Sequence, residues 1–253
     1  MSGVDVSIII PSCNGLHLLR PCIDAIRAHT EGRYEVIVVD NGSTDGTGAY
    51  CREQRITCVR LPQNEGFPAA CNQGIRMATG QELLLLNNDV TVTPGWLGPL
   101  RAALNSAPDV GLTGPVTNYA SGLQQIEVHG DNMEEFIRIA AERNVPNPAM
   151  WQEVKRLVGF CLLMRRSLIQ TIGLLDEAYG QGHYEDDDYC YRARQHGYRL
   201  LMCEDSLVHH LGSASFSHTP SEQLQELIER NHRLFMDKWK VDPRSWIDSR
   251  ESR

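Results

Sequence analysis

The chain has 253 residues, 42% hydrophobic and 22% charged, so it can bury a sizeable core as one large α/β domain or one domain with an appendage. Its 32 acidic residues against 24 basic ones give a net charge of −8, which argues against nucleic acid or another polyanion as partner. No stretch reaches the roughly 18 apolar residues of a membrane span, Met1-Ser2-Gly3-Val4-Asp5 lacks the layout of a signal peptide, and the eight scattered cysteines form no Cys-x-x-Cys pair that would suggest zinc or redox chemistry. The expectation is a cytoplasmic protein, free or at the inner face of the membrane, with at most peripheral membrane association.

In chain order, Val4 to Ile10 is a β-branched, apolar strand that stops at Pro11-Ser12-Cys13-Asn14. Leu16, Leu19, Ile23 and Ile26 then recur at helical spacing, with Pro21 either bending the segment or opening its main helix. Tyr34 to Val39 is a second buried-type strand and runs out into Asp40-Asn41-Gly42-Ser43. Two strands, each ending in a polar loop and followed by a helix, predict a parallel, doubly wound sheet. Asp40 stands at a strand's carboxyl end, where a carboxylate can accept hydrogen bonds from a base N–H or from ribose hydroxyls; the competing reading is a turn cap. Ile56 to Leu61 is a third strand. Asn64-Glu65-Gly66-Phe67 leads into a helix reaching about Thr79, whose small residues allow close approach to the sheet or to a ligand. Neither a Gly-x-Gly-x-x-Gly fingerprint nor a P-loop is present, which disfavours dinucleotide-cofactor and P-loop folds.

Leu83 to Leu86 is an apolar run that stops abruptly at Asn87-Asn88-Asp89. Leucine is a helix former, so the strand reading rests on the short length, the polar stop and the Pro94-Gly95 break. Ligands of open α/β sheets bind beyond the carboxyl ends of the strands, which places these three residues at the mouth of a site, unless they are a plain polar turn. A helix follows to Leu104, then a strand at Val110 to Pro115. Residues 118–152 are irregular, with a short helix at Met133 to Arg143, and fit a mobile lid or an ordinary surface excursion. Leu157 to Met164 is another buried strand. Glu185-Asp186-Asp187-Asp188 opens a helix; acids are favoured there by the helix dipole, but four adjacent carboxylates repel one another more than capping requires. Tyr198 to Cys203 and Leu207 to His209 close the sheet, and a histidine after a strand beside a carboxylate-rich site is a candidate metal ligand. Leu224, Leu227, Ile228, Leu234 and Phe235 mark a C-terminal helix from about Ser221 to Lys240, expected to pack on the domain, an acceptor or a partner.

Six motifs thus occur in order: Val-Ser-Ile-Ile-Ile-Pro-Ser-Cys-Asn, Glu-Val-Ile-Val-Val-Asp-Asn-Gly-Ser, Asn-Glu-Gly-Phe-Pro-Ala-Ala-Cys-Asn, Leu-Asn-Asn-Asp, Gly-Phe-Cys-Leu-Leu and Glu-Asp-Asp-Asp-Tyr-Cys. Over roughly Val4 to Ser215 the chain resembles glycosyltransferase family 2, inverting enzymes of the GT-A nucleotide-sugar fold. The resemblance implies a Rossmann-like, mostly parallel α/β sheet flanked by helices. It implies a GT-A domain at 1–215, with a nucleotide-binding half to about 115 and an acceptor-binding half to 215, followed by a C-terminal helical extension at 216–253 packed on the same domain.

It also implies a nucleotide-sugar donor, UDP- or dTDP-linked, bound by Pro11, Ser12, Asn14, Asp40, Asn41, Asn64, Gly66, Phe67, Asn72, Asn87 and Asn88. Asn87-Asn88-Asp89 looks like the family's Asp-x-Asp motif, so Asp89 would hold a divalent ion, Mn2+ or Mg2+, with fewer charges than the acidic form provides. His210 matches the family's later histidine ligand better than His209, although adjacent histidines leave both registers open. Asp186 matches the general base that takes the proton of an acceptor hydroxyl, with Glu185, Asp187, Gly159 and Phe160 orienting base or acceptor. The acceptor would be a glycan, a lipid-linked saccharide or a protein. The alternatives are a non-catalytic nucleotide-sugar binding subunit and a sugar nucleotidyltransferase. The latter wants a glycine-rich, basic phosphate loop after the first strand, where Pro11-Ser12-Cys13-Asn14-Gly15 is neither.

Overall fold

The computed structural model describes residues 3–129, 132–212 and 221–247. Strand β1 (Val6–Ser12) is buried along its whole length. It lies between β2 (Tyr34–Asn41) and β4 (Glu82–Leu86), pairing in parallel with both, and β2 pairs in parallel with β3 (Thr57–Leu61). A strand covered on both faces needs apolar side chains at every position, which is why Ile8-Ile9-Ile10 and Leu83 to Leu86 show no polar alternation. The four leucines divide two and two. Leu84 and Leu86 join Ile8 and Ile10 against α1 (Leu16–His29) and α4 (Leu97–Leu104), whereas Leu83 and Leu85 join Ile9 against α3 (Phe67–Met77) and the helices beyond it. The helix α2 (Thr47–Glu53) completes the crossover between β2 and β3.

The other half of the sheet is mixed. Strand β8 (Cys161–Arg165) runs antiparallel to both β4 and β6 (Val110–Thr117), and β6 pairs in parallel with β9 (Arg199–His210). Two short strands, β5 (Val90–Thr91) and β7 (Trp151–Glu153), pair antiparallel with β9; neither was visible in the sequence pattern, because two or three residues carry no period. The strand expected from Leu157 begins only at Cys161, and residues 157–160 form a loop that leads to it. The two strands expected at 198–203 and 207–209 are one, with a break in register: Pro115 pairs with Cys203, but Val116 pairs with Leu207. The three residues between bulge away from β6. There Asp205 accepts hydrogen bonds from the Asn147 N–H at 2.7 Å and the Trp151 indole N–H at 2.9 Å, and Ser206 donates to the Trp96 carbonyl.

The least legible region holds the expected helix, α5 (Met133–Arg143), capped by Asn132, whose side chain accepts from the Glu135 N–H. Phe136 and Ala140 bury its inner face, and Asn144 beyond it donates to Thr93 and Pro94 and accepts from the Leu207 N–H. A short helix α6 (Arg166–Ile172) follows β8, α7 (Glu185–Gln195) opens on the acidic cluster, and α8 (Ser221–Trp239) is the C-terminal helix. Phe235 of α8 and Trp246 just beyond it pack on Tyr179 and on Tyr191 of α7. The expected boundary at 215/216 lies outside the described residues.

Candidate active site

The carboxyl ends of β1, β2 and β4 open onto a cavity of about 650 Å3, the position that the topology of an open α/β sheet favours. Pro11, Ser12, Asn41, Asn64, Phe67 and Asn87 to Asp89 form one side; Gly159, Phe160, Glu185 to Asp187 and His210 form the other. The structure therefore brings together most of the residues singled out from the sequence.

On the first side, the asparagines form a scaffold. Asn41 donates to the Asn64 side chain at 2.9 Å and to the Gly66 carbonyl at 3.2 Å, and accepts from the Glu65 N–H. Asn88, buried, donates to Ser12 at 3.0 Å. Gly15 is required behind it, since a Cβ there would lie 2.4 Å from the Asn88 amide nitrogen.

Four of the expected nucleotide contacts do not line the cavity. Asp40 is buried, with one carboxylate oxygen accepting from the Ser43 N–H and the other from Arg60 at 3.0 Å. It holds the turn after β2, which is the competing role of a turn cap. Asn14 accepts from the Thr44 N–H and knits the same loops together. Gly66 has φ 94°, and a Cβ there would sit 2.1 Å from the Gly180 carbonyl oxygen, so it serves a close backbone approach. Asn72 exchanges two hydrogen bonds with the backbone of Leu175, a tie between α3 and the segment leading to α7.

The carboxylate after β4 meets the histidine at the end of β9 because β5 pairs Val90 with His210, which sets Asp89 beside it. Asp89 Oδ1 lies 3.2 Å from His210 Nε2, and neither atom has a hydrogen-bond partner although both are buried. His210 Nδ1 lies 2.8 Å from the Tyr119 carbonyl oxygen, which can only accept. Nδ1 therefore carries a proton, and in the corresponding neutral tautomer Nε2 presents a lone pair toward a carboxylate oxygen. Two lone pairs at that distance require a cation between them, a proton or a metal. The ring is held firmly in this orientation. Phe160 stacks on it at 5.2 Å and 18°, and Asn118 pairs with both the N–H and the C=O of His210. Phe160, expected among the acceptor contacts, stacks on and positions the histidine. His209 faces the other way, edge-on to Phe136 at 5.1 Å. Among the described residues no third His, Cys, Asp or Glu joins the corner. The donor set, one oxygen and one imidazole nitrogen, fits Mn2+ or Mg2+ completed by phosphate oxygens and water.

Across the cavity, the four acids of α7 have four different environments. Asp186 takes the Gly159 N–H at 2.9 Å on one oxygen and the Asp187 N–H on the other, which fixes its carboxylate toward the cavity. Asp187 receives the Arg156 guanidinium at 2.7 Å; burial pushes its pKa up to about 7 against the pull of that arginine. Glu185 is buried with one oxygen unpartnered, and burial, then the neighbouring Asp186, raises its pKa well above the usual range. Asp188 points away from the cavity into a cluster of donors: Arg192, Lys238 and the Trp239 indole N–H all lie within 2.8 Å of its carboxylate.

Sequence reasoning missed several residues here. Arg156, largely buried, is the counter-charge of the acidic corner and also donates to Ser121; nothing in its spacing distinguishes it from a surface arginine. Tyr119 and Asn118, which fix His210, lie in the irregular stretch. Arg244 and Ile247, from beyond α8, also line the cavity.

The family model described as Glycosyl transferase family 2 matches residues 7–173, which ends before α7. Among curated relatives, uncharacterized protein y4gI of Sinorhizobium fredii is 26% identical over 254 residues, covering 93% of this chain and 28% of that protein. The chain thus spans under a third of that relative. An N-acetylglucosaminyl-diphospho-decaprenol L-rhamnosyltransferase of Mycobacterium tuberculosis is 28% identical over 262 residues, covering 92% of this chain and 85% of that one. Among solved structures, the mannosyltransferase PcManGT from Pyrobaculum calidifontis, in complex with GDP-Man and Mn2+, aligns with a TM-score of 0.70 at 20% identity, over 97% of this chain and 68% of that one.

Proposed function

The chain belongs to glycosyl transferase family 2 and has the GT-A fold, and from that premise we propose that it moves a sugar from a nucleoside-diphosphate donor to an acceptor hydroxyl with inversion. The observation that carries the reading is the pairing, across one cavity, of a bare Asp89 and His210 corner with a fixed Asp186 carboxylate. The donor, a UDP- or dTDP-sugar, lies along Pro11, Ser12, Asn41, Asn64, Asn87 and Asn88. Its diphosphate reaches Asp89 and His210, the two residues that would hold a divalent ion, Mn2+ or Mg2+. Such an ion supplies neutralisation of the negative charge that develops on the departing diphosphate.

Asp186 accepts the proton of the acceptor hydroxyl as that oxygen attacks the anomeric carbon. The Gly159 and Asp187 N–H groups each occupy one of its oxygens from behind and leave the remaining lone pairs for the acceptor. Burial, with the neighbouring Asp186, raises the pKa of Glu185 well above the usual carboxylate range, which favours its neutral form beside the base. Arg156 balances Asp187. One base and one departing group suffice for a single displacement, so no covalent intermediate is required. The acceptor is a saccharide hydroxyl on a lipid-linked or surface-glycan precursor, or on a protein, met in the cytoplasm or at the inner membrane face.

The test is a panel of nucleotide sugars, with and without Mn2+, scored for binding by thermal shift and for donor hydrolysis, on the wild type and on Asp186→Asn. The variant should bind the donor as the wild type does and lose about 10²-fold or more in turnover. Full activity in the variant overturns the base assignment, and no binding of any nucleotide sugar overturns the reading as a whole.

A further inference from the structure

We infer that Asn231, on the C-terminal helix, is a positioning residue for the loop that carries the proposed base, which makes α8 a working part of the active site. The inference takes the role of Asp186 from the reading above.

The segment from Gly180 to Tyr184 leads directly into α7. Gly180, Gly182, His183 and Tyr184 have φ of 61°, 122°, 68° and 70°. Two of these are bulky residues in the left-handed region, which side chains other than glycine rarely adopt. A loop in that state persists only where its surroundings hold it, and here the hold comes from α8. The Asn231 side-chain nitrogen lies 2.8 Å from the Tyr179 carbonyl oxygen, 2.7 Å from that of Gly182 and 3.1 Å from that of His183. An amide has two N–H groups, so one is shared between two of the three carbonyls. The amide's orientation is fixed in turn: its oxygen accepts from Arg230, which also donates to the Ala178 carbonyl.

Asn231 is completely buried. A buried asparagine is a poor choice for helix packing, where Phe235 one turn on does that work, and its whole donor capacity goes to the backbone of the loop. The loop's other side is gripped from the nucleotide half, where the Phe67 N–H donates to the Gly180 carbonyl at 3.1 Å. Beyond the loop, Lys238 and Trp239 of α8 hold Asp188 in the first turn of α7. Asp186 thus sits between two points that α8 clamps.

The experiment uses the full chain, with hydrogen exchange of the free protein and steady-state hydrolysis of UDP-GlcNAc and dTDP-rhamnose in Mn2+ as readouts. Asn231→Ala should raise exchange of the 178–190 segment about tenfold, with β1 and β4 unchanged, and lower kcat about tenfold with KM within about twofold. Asn231→Asp, isosteric but without donors, should behave alike, and it carries the comparison if the alanine variant does not fold. Because the clamp acts on left-handed backbone, the kcat effect of Asn231→Ala should shrink about threefold or more in a His183→Gly background. Wild-type kcat in Asn231→Asp, unchanged exchange of the loop, or an undiminished effect beside Gly at 183 each overturns the inference. If the wild type hydrolyses neither donor, the functional reading has failed for those donors, and loop exchange alone decides the clamp.

Discussion

His210 Nε2 faces Asp89 Oδ1 at 3.2 Å with no hydrogen-bond donor between them, because the ring's proton is committed to the Tyr119 carbonyl on the opposite nitrogen. Replacing His210 by Ala should therefore abolish the stabilisation that Mn2+ gives in the presence of UDP, with apparent metal affinity falling by about 100-fold. His209→Ala should keep it, since that ring packs on Phe136. Thermal shift against a Mn2+ titration distinguishes the two; an equal loss in both variants would place the ion elsewhere.

Burial of Glu185 and Asp187 ties stability to pH. Their folded pKa values are raised, Asp187 to about 7 and Glu185 well above its usual range. Both carboxyls ionise near pH 4 in the unfolded chain, so the folded state binds more protons between those limits. The stabilisation is complete below about pH 4 and is lost as pH rises through the folded values. Glu185→Gln has no proton to lose. Its Tm should fall less than that of the wild type between pH 5 and pH 9 (roughly an acid and an alkaline limit around these groups), and parallel curves would contradict the assignment.

Asp188 should be the acid of the cluster whose loss hurts stability most. Removing it leaves Arg192, Lys238 and the Trp239 indole without their shared acceptor, and breaking a buried pair by deleting one partner costs about 3–5 kcal/mol. Lys238 is partly exposed and keeps Asp176 as partner, so the lower end is expected. Asp186→Ala, whose oxygens are met only by backbone N–H groups, should cost less. Urea unfolding of both variants gives the comparison, and a larger loss for Asp186→Ala would reverse this division of roles.

Legibility in the sequence followed a physical divide. Strand ends announced themselves, since Leu83 to Leu86 or Val36 to Val39 can bury both faces only as sheet, and the polar residues where they stop must then meet at one edge. Asp89, Asn41 and Ser12, singled out that way, all line the cavity. Asp40 looked the same and is a turn cap, because a strand-end carboxylate can bond outward to a ligand or back to its own loop, and only the positions of Ser43 and Arg60 decide. Arg156 and Asn231 gave no signal at all. Each is a single polar residue held to a distant part of the chain, Arg156 to Asp187 and Asn231 to the backbone of Tyr179, Gly182 and His183, and single residues have no period to read.

The bulge in β9 decides more than its own neighbourhood. Before it, odd-numbered Leu201 and Cys203 face the α1 and α4 side of the sheet and even-numbered Leu200 and Met202 face the other; after it, Leu207 and Val208 have exchanged sides. Three is an odd number, so the inserted residues Glu204, Asp205 and Ser206 invert the parity of everything downstream. Uninterrupted alternation from Leu200 would turn His209 toward Asp89 and bury His210 beneath α5. Which of two adjacent, chemically identical side chains faces Asp89 is thus decided by a miscount in the strand a few residues upstream, and shortening the bulge by one residue would turn His209 toward Asp89 without altering either histidine.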